Sequence, residues 1–126
     1  IARIDVRADE SGCDTVWESN EISQTTVPKL STANGLIYVY TKLPNAPDGT
    51  DAYYFTAIDF ETGRTAYRVL TGTGVRYDNN WAAISLSPDG TAFVGVLNGL
   101  VRVRDTSPAK AKATPYADNE RKEPRF

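Results

Sequence analysis

Tyr77-Asp78-Asn79-Asn80-Trp81 gathers two aromatic rings, a carboxylate and two carboxamides within five residues. Carboxylate and amide oxygens suit a hard cation such as calcium or the hydroxyls of a sugar, and an aromatic ring gives a sugar's apolar face a floor. The same residue types also suit a plain connection in which Asx side chains bond their own backbone. Tyr77, Asp78, Asn79, Asn80 and Trp81 are therefore the candidate ligand-binding set, with a turn as the simpler account. Asp9, Glu10 and Asp14 lie near Gly12. Paired carboxylates serve glycoside hydrolysis when they face each other across about 5–10 Å, but a surface turn explains these three more simply. Asp48-Gly49-Thr50-Asp51 has some character of a calcium loop, yet it lacks the acidic spacing and final Glu of an EF-hand and reads as a solvated hairpin tip. Arg102 and Arg104 share one side of a strand, either as an anion contact or as a solvated face. Cys13 falls in a turn, and a buried inert thiol is its commoner role. Gly72-Thr73-Gly74 lacks the Lys and the following helix that a phosphate loop requires.

Composition narrows the chemistry further. The 126 residues include no His and a single Cys. One chain therefore cannot assemble a Ser-His-Asp or Cys-His arrangement, a His/Cys zinc site or an internal disulfide. Acid–base chemistry would rest on carboxylates, Lys or Tyr. The expectation is no catalytic residue, no metal site and no cofactor. With 14 basic and 16 acidic side chains the net charge is −2, which gives no general pull toward nucleic acid. No apolar run approaches the roughly 18 residues of a membrane span. The length suits one domain, and a first residue Ile1 with no Met anywhere suggests a processed protein or a piece of a longer one.

The elements that must carry these residues are short and β-rich. Leu36–Thr41, Tyr53–Ile58, Ala82–Ser87, Thr91–Val96 and Leu100–Arg104 have the β-branched and aromatic content of strands, and Val101 to Arg104 alternates with period two. Asn34-Gly35, Asp89-Gly90 and Asn98-Gly99 supply hairpin turns between them. Lys29 to Tyr38 aligns with Ile84 to Phe93, and Ala57-Ile58-Asp59 aligns with Val103-Arg104-Asp105. The intervening lengths differ by a Pro/Gly/Asp-rich loop from Leu43 to Asp51. A third partial copy opens the chain: Ile4-Asp5 matches Ile58-Asp59, Gly12 matches Gly63, and Trp17 falls roughly at Tyr67.

A unit of roughly 40–45 residues with four strands has the length of a propeller blade. The predicted class is all-β, with about two and a half four-stranded antiparallel blades. Residues 1–20 would be the outer two strands of one blade, 21–70 a full blade and 81–105 a partial one. A β-sandwich is the alternative. Residues 106–126, rich in Lys, Ala, Pro and charge, read as a polar tail or linker.

Ala57-Ile58-Asp59-Phe60-Glu61-Thr62-Gly63-Arg64-Thr65-Ala66-Tyr67 resembles the repeat of pyrroloquinoline-quinone-like (PQQ-like) propellers, Ala-x-Asp-x-x-Thr-Gly-x-x-x-Trp, with Tyr67 in the place of Trp. Arg3 to Asp105 is also similar to the closing part of bacterial propeller proteins of actinobacterial type. The resemblance implies blades, an aromatic packed between them, and a secreted or extracytoplasmic location. It does not bring the quinone: the family's dehydrogenases cover that cofactor with a disulfide between adjacent cysteines, which one Cys cannot form. The leading functional expectation is a non-enzymatic propeller segment that serves as a binding or scaffold surface. The alternatives are a lectin-like oligomer that binds carbohydrate, and part of a hydrolase or lyase whose site lies mostly outside this chain. Two and a half blades leave a strand edge unsealed, so the expected partners are the remainder of a longer propeller or copies of the chain.

Overall fold

The computed structural model describes residues 1–43 and 51–105. The loop reading at Asp48-Gly49-Thr50 and the tail reading of 106–126 lie outside these residues. The fold is all-β. Among the described residues, nine strands form three small antiparallel sheets, each contiguous in the chain. The first sheet pairs β1 (Ala2–Val6) with β2 (Cys13–Glu18). The second runs β3 (Lys29–Ser31), β4 (Leu36–Lys42), β5 (Ala52–Asp59) and β6 (Thr65–Thr73). The third runs β7 (Ile84–Leu86), β8 (Thr91–Val96) and β9 (Gly99–Arg104). A single 3-10 turn, Val75–Tyr77, joins the second sheet to the third. No closed barrel or ring forms among the described residues.

Two hairpins use one device. Gly35 and Gly90 take φ of 69° and 79° at the β3–β4 and β7–β8 turns. Beside each glycine, an Asx side chain accepts a backbone N–H two residues on: Asn34 from Leu36 at 3.2 Å and Asp89 from Thr91 at 3.0 Å. The registers differ by one residue all the same: Lys29 faces Tyr38, whereas the aligned Ile84 faces Val94, one position past the aligned Phe93.

The second sheet lies between the other two, and its strand alternation supplies a different surface to each. Ile37, Val39 and Ile58 pack with Ile1 and Trp17 of the first sheet and with Phe60. Tyr38, Tyr40, Tyr53, Phe55 and Ala57 pack with Ile84, Ala92 and Val94 of the third. The aromatic side stacks in pairs, Tyr38 on Phe55 at 5.3 Å and Tyr40 on Tyr53 at 5.9 Å between ring centroids. β4 and β5 are therefore buried on both faces, and each large side chain there contributes about 1.5–3 kcal/mol.

Pairing register tests the repeat directly. In the first sheet Arg3 faces Trp17 and Ile4 faces Thr15, which leaves Val16 as an extra residue. In the second, Ala57 faces Tyr67 and Ile58 faces Thr65, which leaves Ala66 extra. The same bulge at the same place makes Ile4-Asp5 the counterpart of Ile58-Asp59 and Trp17 the counterpart of Tyr67. The third sheet departs from the alignment. Asp59 lies opposite Leu36, whereas Arg104 lies opposite Thr91, the residue that follows the equivalent turn glycine. Arg104 rather than Asp105 fills the Asp59 position, because the turns fix register and a matching letter one residue away does not.

The seam between the first two sheets is specific. The Trp17 indole N–H donates to the Phe60 carbonyl at 2.9 Å. Its ring covers Gly63, where φ is +70° and an added Cβ would lie 2.5 Å from the indole. Arg3 sits 4.1 Å above the Phe60 ring and binds the carboxylates of Asp5 and Glu61. Beyond this seam, the buried Glu21 carboxylate accepts from Arg68 Nε at 3.0 Å and from the Thr65 hydroxyl, tying the inter-sheet connection to β6.

The turn carboxylates make the fold acid-sensitive. Hydrogen bonds from the Thr62 hydroxyl and backbone hold Asp59 below the usual carboxylate range. Those from the Ser11 hydroxyl and backbone do the same for Asp9, and the Thr91 backbone does so for Asp89. The Arg3 guanidinium lowers Asp5 in the same way. Each folded-state pKa lies below its unfolded value, so this stabilisation is complete above about pH 4 and is lost as pH falls through the folded values. Thermal melts are expected to change little between pH 7 and 5 and to fall below pH 4. Asp59→Asn is expected to reduce that acid-dependent fall.

Candidate functional site

The connection from β6 to β7 places the five predicted ligand residues, and it does not bring them to one place. Two backbone bonds hold this connection to the β8–β9 turn, from Leu97 N to Asp78 O at 2.9 Å and from Asn98 N to Arg76 O at 3.2 Å. Asn79 turns inward and is 3% exposed. Its Oδ1 accepts from the Thr26 hydroxyl at 2.9 Å and the Thr25 hydroxyl at 3.2 Å. Its Nδ2 donates to the Ala82 carbonyl at 3.0 Å and the Gly95 carbonyl at 2.7 Å. Both amide protons are used and Oδ1 is engaged from inside the fold, so the Asn79 side chain is turned away from any ligand. Trp81 turns outward, 76% exposed, with φ at +63°, and Asn80 is exposed beside it. Tyr77 is half-buried beneath Gly72.

Asp78 bears electrostatically on the tyrosines of the core. Burial first, then the Asp78 and Asp51 carboxylates, push the Tyr53 hydroxyl up to about 12. Burial also raises Tyr40, whose hydroxyl lies 2.7 Å from that of Thr71. These phenols stay protonated at neutral pH and serve as hydrogen-bonding anchors.

The remaining sequence candidates are also placed. Asp14 pairs with Arg7 at 2.7 Å, and Asp9 accepts from both the backbone and the hydroxyl of Ser11. These bonds shape a hairpin end. Cys13 opens β2 opposite Val6 and is exposed, which corrects the expectation of a buried thiol: its strand edge is covered by nothing among the described residues. No group of three or more His, Cys, Asp or Glu side chains gathers among the described residues.

A cleft of about 600 Å³ opens between the second and third sheets, at the end of the stack away from Tyr77–Trp81. Tyr38 and Tyr67, which pair on either side of Ala57 in the second sheet, stand on one wall. The fully buried Ala57 separates the two tyrosines in the sheet, so their rings stand on either side of it. Loss of water around the hydroxyl, then the neighbouring Tyr38 phenol, raises the Tyr67 pKa well above the ordinary phenol value. Asn34 Nδ2 donates to the Tyr38 hydroxyl at 2.8 Å. Phe55, stacked on Tyr38, also lines it, while Leu86, Pro88, Ala92, Val103, Arg104 and Asp105 form the opposite wall. Tyr67 remains 41% exposed. Aromatic surface with a few convergent polar groups, at this volume, is the usual make-up of a small-molecule site.

Sequence reasoning missed this cleft. Its signal lay in register: once β4, β5 and β6 pair as a meander, Tyr38 and Tyr67 flank Ala57 on one face. No protein-family model matches the chain, and no curated protein matches it.

Proposed function

We propose that the chain is a run of propeller blades of PQQ-like type, and that it works as a binding module with the cleft between the second and third sheets as its site. Three observations support the blade reading: sheets stacked in chain order, a hairpin repeated with the same bulge, and Trp17 seated on the turn of the next sheet. The cleft carries the functional reading. Trp17 fills the seam between the first and second sheets, whereas its counterpart Tyr67 stands beside an open space.

Comparison of the two seams tests it. A binding wall tolerates truncation better than a packed interface does, so Tyr67→Ala is expected to cost no more than about 1 kcal/mol and Arg104→Ala less than about 0.5. A Tyr67→Ala loss as large as that of Trp17→Ala, read by chemical denaturation, makes the cleft a structural seam and ends the binding reading.

A further inference from the structure

The walls of the cleft specify a ligand class. Building on the binding reading above, we infer that the cleft takes a neutral pyranose ring, with the apolar face of the sugar on Tyr67 and its hydroxyls toward Asn34, Arg104 and Asp105.

Charge argues against an anion. Arg104 is the cationic lining residue, and the neighbouring Asp105 and Asp89 offset it. A phosphate or carboxylate entering the cleft would meet Asp105 without a second cation to hold it. Polarity argues against a purely apolar guest. The Asn34, Tyr38 and Tyr67 polar atoms lie on one wall and the Arg104–Asp105 pair on the other, and an apolar guest would strip water from all of them without return. A sugar hydroxyl both donates and accepts. Arg supplies only donors and a carboxylate only acceptors, so adjacent hydroxyls match that pair. The half-exposed Tyr67 ring lines the cleft and offers its aromatic surface for stacking.

The test is a titration of the intact chain, followed by NMR, with methyl hexopyranosides of several configurations. Sorbitol serves as the control, since it carries similar hydroxyls on an open chain without a rigid apolar face. At least one glycoside is expected to bind with millimolar affinity and to shift the resonances of Tyr67 and Arg104, while sorbitol does not. Tyr67→Ala is expected to weaken binding about tenfold, in line with loss of one aromatic stacking contact. Arg104→Ala, which leaves the platform intact, is expected to alter the preference among configurations. No cleft shift with any glycoside overturns the sugar assignment, and equal binding of sorbitol overturns the role of the ring face. Nuclear Overhauser contacts from the Tyr67 ring to residues 106–126 in the ligand-free protein also overturn it, because the place would already be taken. If binding fails while Tyr67→Ala remains well folded, the ligand class is wrong and the cleft reading stands. A Tyr67→Ala chain that melts like Trp17→Ala ends both.

Discussion

Trp17→Ala is expected to lower stability by about 3 kcal/mol, a fall of roughly 10 °C in melting temperature. The loss combines buried ring area with the hydrogen bond to the Phe60 carbonyl. Trp17 is only partly buried, which places the figure at the low end for removal of a tryptophan from a core. Gly63→Ala probes the seam from its other side. The new Cβ meets the indole at 2.5 Å, and φ of +70° is unfavourable for alanine, so about 3 kcal/mol is expected again. The double variant is the decisive member of the cycle. With the indole gone, only the backbone part of the glycine penalty remains, about 1 kcal/mol, so the two losses are less than additive. Full additivity, measured by urea denaturation, shows that the first sheet does not dock on this turn.

Asn79→Ala is expected to cost about 3 kcal/mol, because it orphans the Thr26 hydroxyl and the carbonyls of Ala82 and Gly95 together. Asn79→Asp makes the point more sharply. It keeps the shape of the side chain but sets an acceptor against two carbonyls, so it is expected to be at least as damaging as alanine at neutral pH. Had Asn79 been a ligand contact, both variants would leave the melting temperature in place. Unchanged melting of Asn79→Ala therefore contradicts the inward placement of the side chain.

Local pattern made the strands legible. β4 and β5 are dense in β-branched and aromatic residues, and the Asn-Gly and Asp-Gly turns fix where their neighbours begin. The correspondence of Ile4-Asp5 with Ile58-Asp59 was readable because the letters survive and the bulge falls at the same place, although the first hairpin has a longer turn. Asp105 misled for the complementary reason: a letter match carries no information about which face a residue takes, and a shift of one position reverses it. The ligand set at Tyr77–Trp81 failed in a similar way. Asn79 and Asn80 are the same residue type in adjacent positions, yet one is consumed by four internal bonds and the other is solvated. Sequence gives the capacity of an amide to bond and does not give its partners. The cleft was hidden because its walls draw on all four strands of the second sheet and all three of the third, which no local pattern brings together.

The strictly consecutive order of strands within each sheet has a kinetic consequence. Among the described residues each strand pair joins consecutive strands, so each hairpin can zip with a modest loop-closure penalty and without waiting for a remote segment to diffuse in. The slow search is confined to bringing finished sheets together at their two seams. The central meander takes part in both, and its formation is the natural nucleus on which the flanking pieces condense.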